Sequence, residues 1–189
     1  MIILEESVSS IVDIFKISAV ENSPVVFPTD TIYGIGALLS STKANENIYK
    51  LKNRDMKKPF LILAGSIEQA ETVVNLKSLI SKNYTFFKEN YKNNVTFLIN
   101  SYIDNKMYAK NGKSAIRIVN RDILSKALLQ LNEPVTATSI NKAGMPFINS
   151  IEDAYSLFPS VKLYIYSKNI KTITSKMYDI SSTDIIKLR

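Results

Sequence analysis

VFPTDTIYGIG, residues 26–36, holds two of the chain's five glycines beside three hydroxyl side chains. Thr29, Thr31 and Tyr33 occupy every second position, so an extended backbone would send all three to one side. One face of the stretch is then polar. Around it, short apolar runs at Val25–Phe27, Phe60–Leu63, Val95–Ile99, Ala115–Val119, Val135–Ala137 and Leu163–Tyr166 read as strands. Helical patterns fall between several of them, near Val8–Val20, Lys43–Leu51 and Asp122–Leu131, and Ser66-Ile-Glu-Gln69 and Ser150-Ile-Glu-Asp153 read as capped helix starts. This alternation predicts an α/β sheet.

With 189 residues, 46% of them apolar, the chain is long enough for one core that buries roughly 70% of the unfolded surface. It is short for two, and a single domain spanning 1–189 is expected. The absence of cysteine and histidine excludes a disulfide, a thiolate nucleophile and a Cys-based zinc site, and removes the commonest general base. Acid–base chemistry therefore falls to carboxylate, lysine or tyrosine. Apolar stretches such as Phe60–Ala64 are too short to span a bilayer, and the acidic start MIILEESVSS lacks the basic region of a signal peptide. A cytoplasmic protein is expected. The net charge of +7 favours phosphate-rich partners, although twenty lysines against four arginines equally fit a solubilising surface.

Two familiar phosphate motifs fail on inspection. Gly34-Ile-Gly36 lacks the third glycine of a dinucleotide fingerprint, and Asn111-Gly-Lys-Ser114 has Met107 where a P-loop requires glycine, so it reads as a turn closing the long loop Asn100–Lys113. Lys52 and Arg54 lie where a helix should end. Being two apart, they point the same way only if extended backbone has replaced the helix; converging, they suit an anion. Ser139-Ile-Asn141 follows the strand-like Val135–Thr138 and precedes Ala143-Gly144, so its polar side chains would project from a strand end, where α/β sheets bind ligands.

The order of these pieces carries more than any one of them. PTDTIYGIG, then KNR followed by KPFLIL, then VTFLI, AIRI and TSINKAG resembles the threonylcarbamoyl-AMP synthase family, also called YrdC-like, from about Val25 to Gly144. A fainter echo follows at Ser175–Asp179 and Leu188-Arg189. The hallmark is Lys-x-Arg with a later Ser-x-Asn, here Lys52, Arg54, Ser139 and Asn141. Departures are Asn93-Asn94 where the family has Gly-Pro, Asn53 and Asp55 where Gly and Pro are common, and Lys176 in place of a frequent threonine.

The resemblance implies a twisted, open mixed sheet with flanking helices around a basic concave cavity, in the short single-domain form. It implies a nucleotidyltransferase that makes threonylcarbamoyl-AMP and pyrophosphate from L-threonine, bicarbonate and ATP, with Mg2+ accompanying the triphosphate and no metal-ligating residues. The product serves the N6-threonylcarbamoyladenosine modification of tRNA through a separate transferase. Lys52 and Arg54 would be catalytic, holding phosphate or carboxylate oxygens. Thr29, Thr31, Tyr33, Thr96, Arg117, Ser139, Asn141 and Ser175 would bind substrate, with Gly34 and Gly36 letting ligand approach the backbone. A different class, a non-catalytic RNA-binding module, is also compatible with the charge.

Overall fold

The computed structural model describes all of residues 1–189 except 142–144, 146, 147, 149, 169, 171 and 172, so the Ala143-Gly144 reading lies outside the described residues. Asparagine takes over in this glycine-poor chain a task glycine usually performs. Among the described residues every non-glycine with positive φ is an asparagine: Asn22, Asn53, Asn94, Asn111 and Asn132. Its short polar side chain tolerates the left-handed conformation that other residues avoid. Asn22 thereby ends α1 (Val8–Glu21), Asn53 ends α2 (Thr42–Lys52) and Asn132 ends α5 (Asp122–Leu131). Serines set the opposite ends. Ser7, Ser66 and Ser150 accept from backbone N–H groups at the starts of α1, α3 (Ile67–Glu71) and α6 (Ile151–Leu157).

The remaining helix is α4 (Ser81–Asn90). The strands are β1 (Ile2–Glu5), β2 (Val25–Pro28), β3 (Tyr33–Gly36), β4 (Leu61–Ala64), β5 (Val95–Asn100), β6 (Lys113–Ile118), β7 (Val135–Ser139), β8 (Leu163–Tyr166), β9 (Lys176–Asp179) and β10 (Ile186–Lys187). They form one sheet in the order β1-β8-β2-β3-β7-β4-β6-β5-β9-β10. Parallel pairs, such as β4 with β6, mix with antiparallel pairs, such as β3 with β7. Every strand anticipated from the sequence is present. Asn111-Gly112 is a turn with both φ values positive, bridged by Lys110 and Lys113, as a two-residue hairpin connection requires.

Alternating side chains give the sheet two unlike faces. On one, Ile35, Ile62, Phe97, Ile99 and Ile116 pack with Ile48 and Tyr49 of α2, Phe87 of α4 and Ala154 of α6. On the other, Val25, Phe27, Leu63, Val135 and Leu163 pack with Ile11, Ile14 and Phe15 of α1 and Leu124 and Leu128 of α5. Each such side chain contributes about 1.5–3 kcal/mol by leaving water. Leu61, Ala115, Arg117, Ala137 and Met177 belong to this second face by parity and register, yet they line a cavity.

Two expectations about residues 26–36 need correction. Thr29, Thr31 and Tyr33 do not share one extended face, because β2 ends at Pro28 and residues 29–32 form a hairpin turn closed by Thr29 N–H to the Ile32 carbonyl at 3.1 Å. The turn's own N–H groups recruit Thr29 Oγ1. It brings Thr29 and Thr31 to 3.0 Å from each other, while Tyr33 packs its ring into the first apolar cluster. Nor does Gly36 serve a ligand. A Cβ there would lie 1.8 Å from the Thr136 carbonyl oxygen, so close approach of β3 to β7 demands glycine.

Candidate active site

The cavity, of about 270 Å³, sits over the half of the second face that α1 and α5 leave open. Its floor is strand residues of β3, β4, β6, β7 and β9, and the hairpin turn forms one wall. Thr29, Thr31, Tyr33, Arg54, Arg117, Ser139 and Ser175 all line it. Tyr33 does so without offering its hydroxyl, which accepts from Ser167 N–H at 2.9 Å; burial raises its pKa above the ordinary value. Thr96 is fully buried and does not line the cavity; its Oγ1 lies 3.1 Å from Ser175 Oγ.

A single left-handed residue, and not the extended backbone expected from the spacing, takes Arg54 off the helix: α2 stops at Lys52, and Asn53 has φ 46°. Both side chains then reach the C-terminal end of β7. Arg54 Nη1 donates to Thr138 Oγ1 at 3.2 Å, while Nε and Nη2 donate to the Lys58 and Pro59 carbonyls at 3.0 Å each. Three of a guanidinium's five N–H donors are thus held by protein, so the fork is fixed with donors to spare. Lys52 is engaged differently. Its Nζ donates to the carbonyls of Ser139 and Asn141, both at 2.6 Å, and neither it nor Asn141 lines the cavity. Desolvation first, then the neighbouring Arg54, lowers its pKa to about 8.

Ser139 Oγ donates to Asn141 Oδ1 at 2.6 Å, and Asn141 Nδ2 donates to the Met145 carbonyl at 2.7 Å. The four hallmark residues therefore meet, with Lys52 clasping the loop that carries Ser139 and Asn141. Asn94, like Asn53, is left-handed with φ 53°. At Asn53 asparagine supplies a backbone shape that the family's glycine would allow, whereas Asn94 takes a left-handed φ that the proline common at its position could not adopt.

Sequence reasoning missed three contributors. Arg189 lines the cavity, with Nε and Nη2 donating to the carbonyl and hydroxyl of Ser175 at 3.1 and 3.0 Å; the Leu188-Arg189 echo was its only signal. Thr138 had none. Asp30 sits inside the quoted stretch, and its buried carboxylate lies 3.1 Å from Arg117 Nη2. Arg117 is itself buried, which lowers its pKa despite the opposing pull of Asp30. The cavity thus gathers three guanidiniums, one of them balanced by a carboxylate. Such a site suits a polyanion.

An open mixed α/β sheet with a cation-lined cavity defines the class. The chain belongs to the Sua5_yciO_yrdC family, described as telomere recombination, whose pattern matches residues 19–189. The threonylcarbamoyl-AMP synthase of Psychromonas ingrahamii is 25% identical over 138 residues, 72% of each chain. Among solved structures, P. abyssi Sua5 complexed with L-threonine is similar with a TM-score of 0.85 at 21% identity, covering 100% of this chain and 57% of that one. E. coli YciO has a TM-score of 0.83 at 17% identity, covering 99% and 93%. The chain spans under two thirds of the length of the Sua5 structure.

Proposed function

We infer that this chain is a threonylcarbamoyl-AMP synthase, a nucleotidyltransferase that joins L-threonine, bicarbonate and ATP and releases pyrophosphate. The observation that supports this best is that Arg54, Arg117 and Arg189 line one cavity with Ser139, whose loop Lys52 clasps through the Ser139 and Asn141 carbonyls. Threonine's amine and bicarbonate form a carbamate with loss of water. A carbamate oxygen then attacks the α-phosphorus, and the bond to the α,β-bridging oxygen breaks as pyrophosphate leaves. Charge builds on phosphoryl oxygens, so positioned cations carry the catalysis and no histidine is required.

Arg54, pinned by three bonds, is the proposed catalytic cation. Lys52 contributes through the clasped loop and the charge it keeps below about pH 8. Thr29, Thr31, Tyr33, Thr96, Ser139, Asn141 and Ser175 shape the substrate site, with Tyr33 and Thr96 acting through packing and Ser175. Among the described residues no three carboxylate, histidine or cysteine groups cluster; Mg2+ would arrive with ATP, held by phosphates and water.

In this reading residues 1–189 act as one domain in the cytoplasm, handing product to a tRNA-modifying transferase. The test is pyrophosphate release by purified protein with ATP, Mg2+ and bicarbonate, with and without L-threonine. Threonine-dependent release with a matching adenylate is expected; release no greater than the threonine-free control from folded protein would refute the reading.

A further inference from the structure

β4 and β6 are parallel neighbours whose chains part where the strands end. After Ala64 the chain turns into α3, whose Ala70 joins the first apolar cluster; after Ile118 it turns into α5, whose Leu124 and Leu128 join the second. Helices that leave adjacent parallel strands for opposite faces open a crevice beyond the strands' carboxyl ends, where open α/β sheets bind ligands. A cavity of about 510 Å³ occupies that place, lined by residues 65–68 on one side and 118–122 on the other. It shares no lining residue with the active-site cavity.

The crevice is pre-formed. Gly65 N–H donates to Gln69 Oε1 at 2.7 Å, and the Gly65 carbonyl accepts from Ser125 Oγ at 2.8 Å. A Cβ at Gly65 would lie 2.7 Å from the Ser125 carbonyl oxygen, so glycine is what lets α5 come this close to the end of β4. Across the opening, Asn120 Nδ2 donates to the Lys92 carbonyl at 2.7 Å and ties the end of α4 to the turn after β6. Ile67, Ile118 and Val119 give the lining an apolar part.

Its charge is unbalanced. Lys88 and Lys92 line the crevice, with Nζ atoms 5.8 and 5.6 Å from the centroid of the Tyr91 ring, and among the described residues neither forms an ion pair. Like charges four apart across a helix end repel, and an anion between them relieves that repulsion. The other charges are already engaged: Arg121 with Glu6, and Asp122 with Lys126 at 2.7 Å. Glu68 is exposed, and its own backbone N–H and then the Ser66 hydroxyl lower its pKa. A phosphate monoester, with a charge of about −1.5 to −2 at neutral pH, matches the two lysines. Phosphate alone would leave most of a crevice this size empty, and the apolar lining suits a larger body attached to it.

We propose that this crevice is a second ligand site, for a nucleoside monophosphate, with the phosphate between Lys88 and Lys92 and the nucleoside against Ile67, Ile118 and Val119. The site does not depend on the synthase reading.

The experiment is an amide-resolved NMR titration of the full chain with AMP, and separately with sodium sulfate at matched ionic strength, for wild type, Lys88→Gln/Lys92→Gln, Lys88→Arg/Lys92→Arg and Arg54→Ala. AMP is expected to shift the amides of Gly65, Ser66, Asn120 and Asp122. Lys88→Gln/Lys92→Gln should weaken that response about tenfold, the equivalent of about 1.4 kcal/mol, and the arginine pair should restore it. Arg54→Ala should leave it unchanged while weakening any response of Gly34 and Ser139 in the active-site cavity.

Crevice amides that ignore AMP, or that lose their response in Arg54→Ala, overturn the second site and leave the synthase reading intact. A sulfate response equal to that of AMP, with an adventitious ion only, overturns the nucleotide assignment. Crevice amides that answer to an oligouridylate and not to AMP assign the lysines to nucleic acid and overturn the small-molecule site. A crevice response to AMP in a protein that shows no threonine-dependent pyrophosphate release supports the site and refutes the synthase alone.

Discussion

The two faces of the sheet are built from the same strands and teach opposite lessons. Along β5 and β6, Phe97, Ile99, Ile116 and Ile118 point into an apolar cluster closed by helices, while their neighbours Thr96 and Arg117 face the other way, toward or behind the cavity. One residue's step along a strand separates stability from chemistry. The covering helices decide which: where α1 and α5 pack, the second face is core, and where they stop Leu61, Ala115, Ala137 and Met177 become the floor of a cavity that Arg117 enters.

The largest expected effect lies on the closed face. Phe97→Ala should lower unfolding free energy by about 3–5 kcal/mol through lost burial and the cavity left behind, read by urea denaturation; a loss below about 1 kcal/mol would mean that the faces are not so divided. On the open face Arg54→Ala should cut kcat/KM about 100-fold, as for removal of a donor to developing charge, with the denaturation midpoint little changed. Equal damage to stability and rate would blur the comparison.

Lys52 stands at the border and gives opposite pH responses. Its folded pKa of about 8 lies below the 10.5 of an ordinary lysine, so between those values the unfolded chain binds more protons and this group's contribution to stability rises with pH. The ligand-attracting charge is lost over the same window. Above pH 8, kcat/KM for ATP should therefore fall by up to about tenfold per unit, while the stability difference between wild type and Lys52→Met shifts in favour of wild type. Smallest of all, Asn53→Ala should cost about 1 kcal/mol and Asn53→Gly less, because only the former strains a left-handed position; thermal melts resolve the pair.

Periodicity made most strands legible because each is a short apolar run bounded by turn residues, and α5 was read as Asp122–Leu131, its observed span. α4 escaped: SKNYTFFKEN buries Asn83, which donates to the Ile180 and Ser182 carbonyls, so part of its inward face is polar. β9 and β10 are short and partly exposed at the sheet's edge, where little burial shapes the sequence. In the site, Lys52 and Arg54 were legible as a pair at the helix end, but that Arg54 alone would line the cavity while Lys52 clasps two carbonyls was not, since backbone acceptors leave no mark on residue type. Asp30 was hidden because its partner Arg117 lies 87 residues away, and the hydroxyl alternation drew the reading toward an extended strand instead of a turn.

The central claim is that one cavity holds both the nucleotide and the threonine ends of the reaction. Its most direct test is calorimetric titration of α,β-methylene ATP, which cannot release pyrophosphate, into the protein with Mg2+, with and without L-threonine and bicarbonate. We expect the second ligand set to tighten nucleotide binding at least about tenfold, a coupling near 1.4 kcal/mol. A nucleotide affinity that is the same in both titrations would contradict the account.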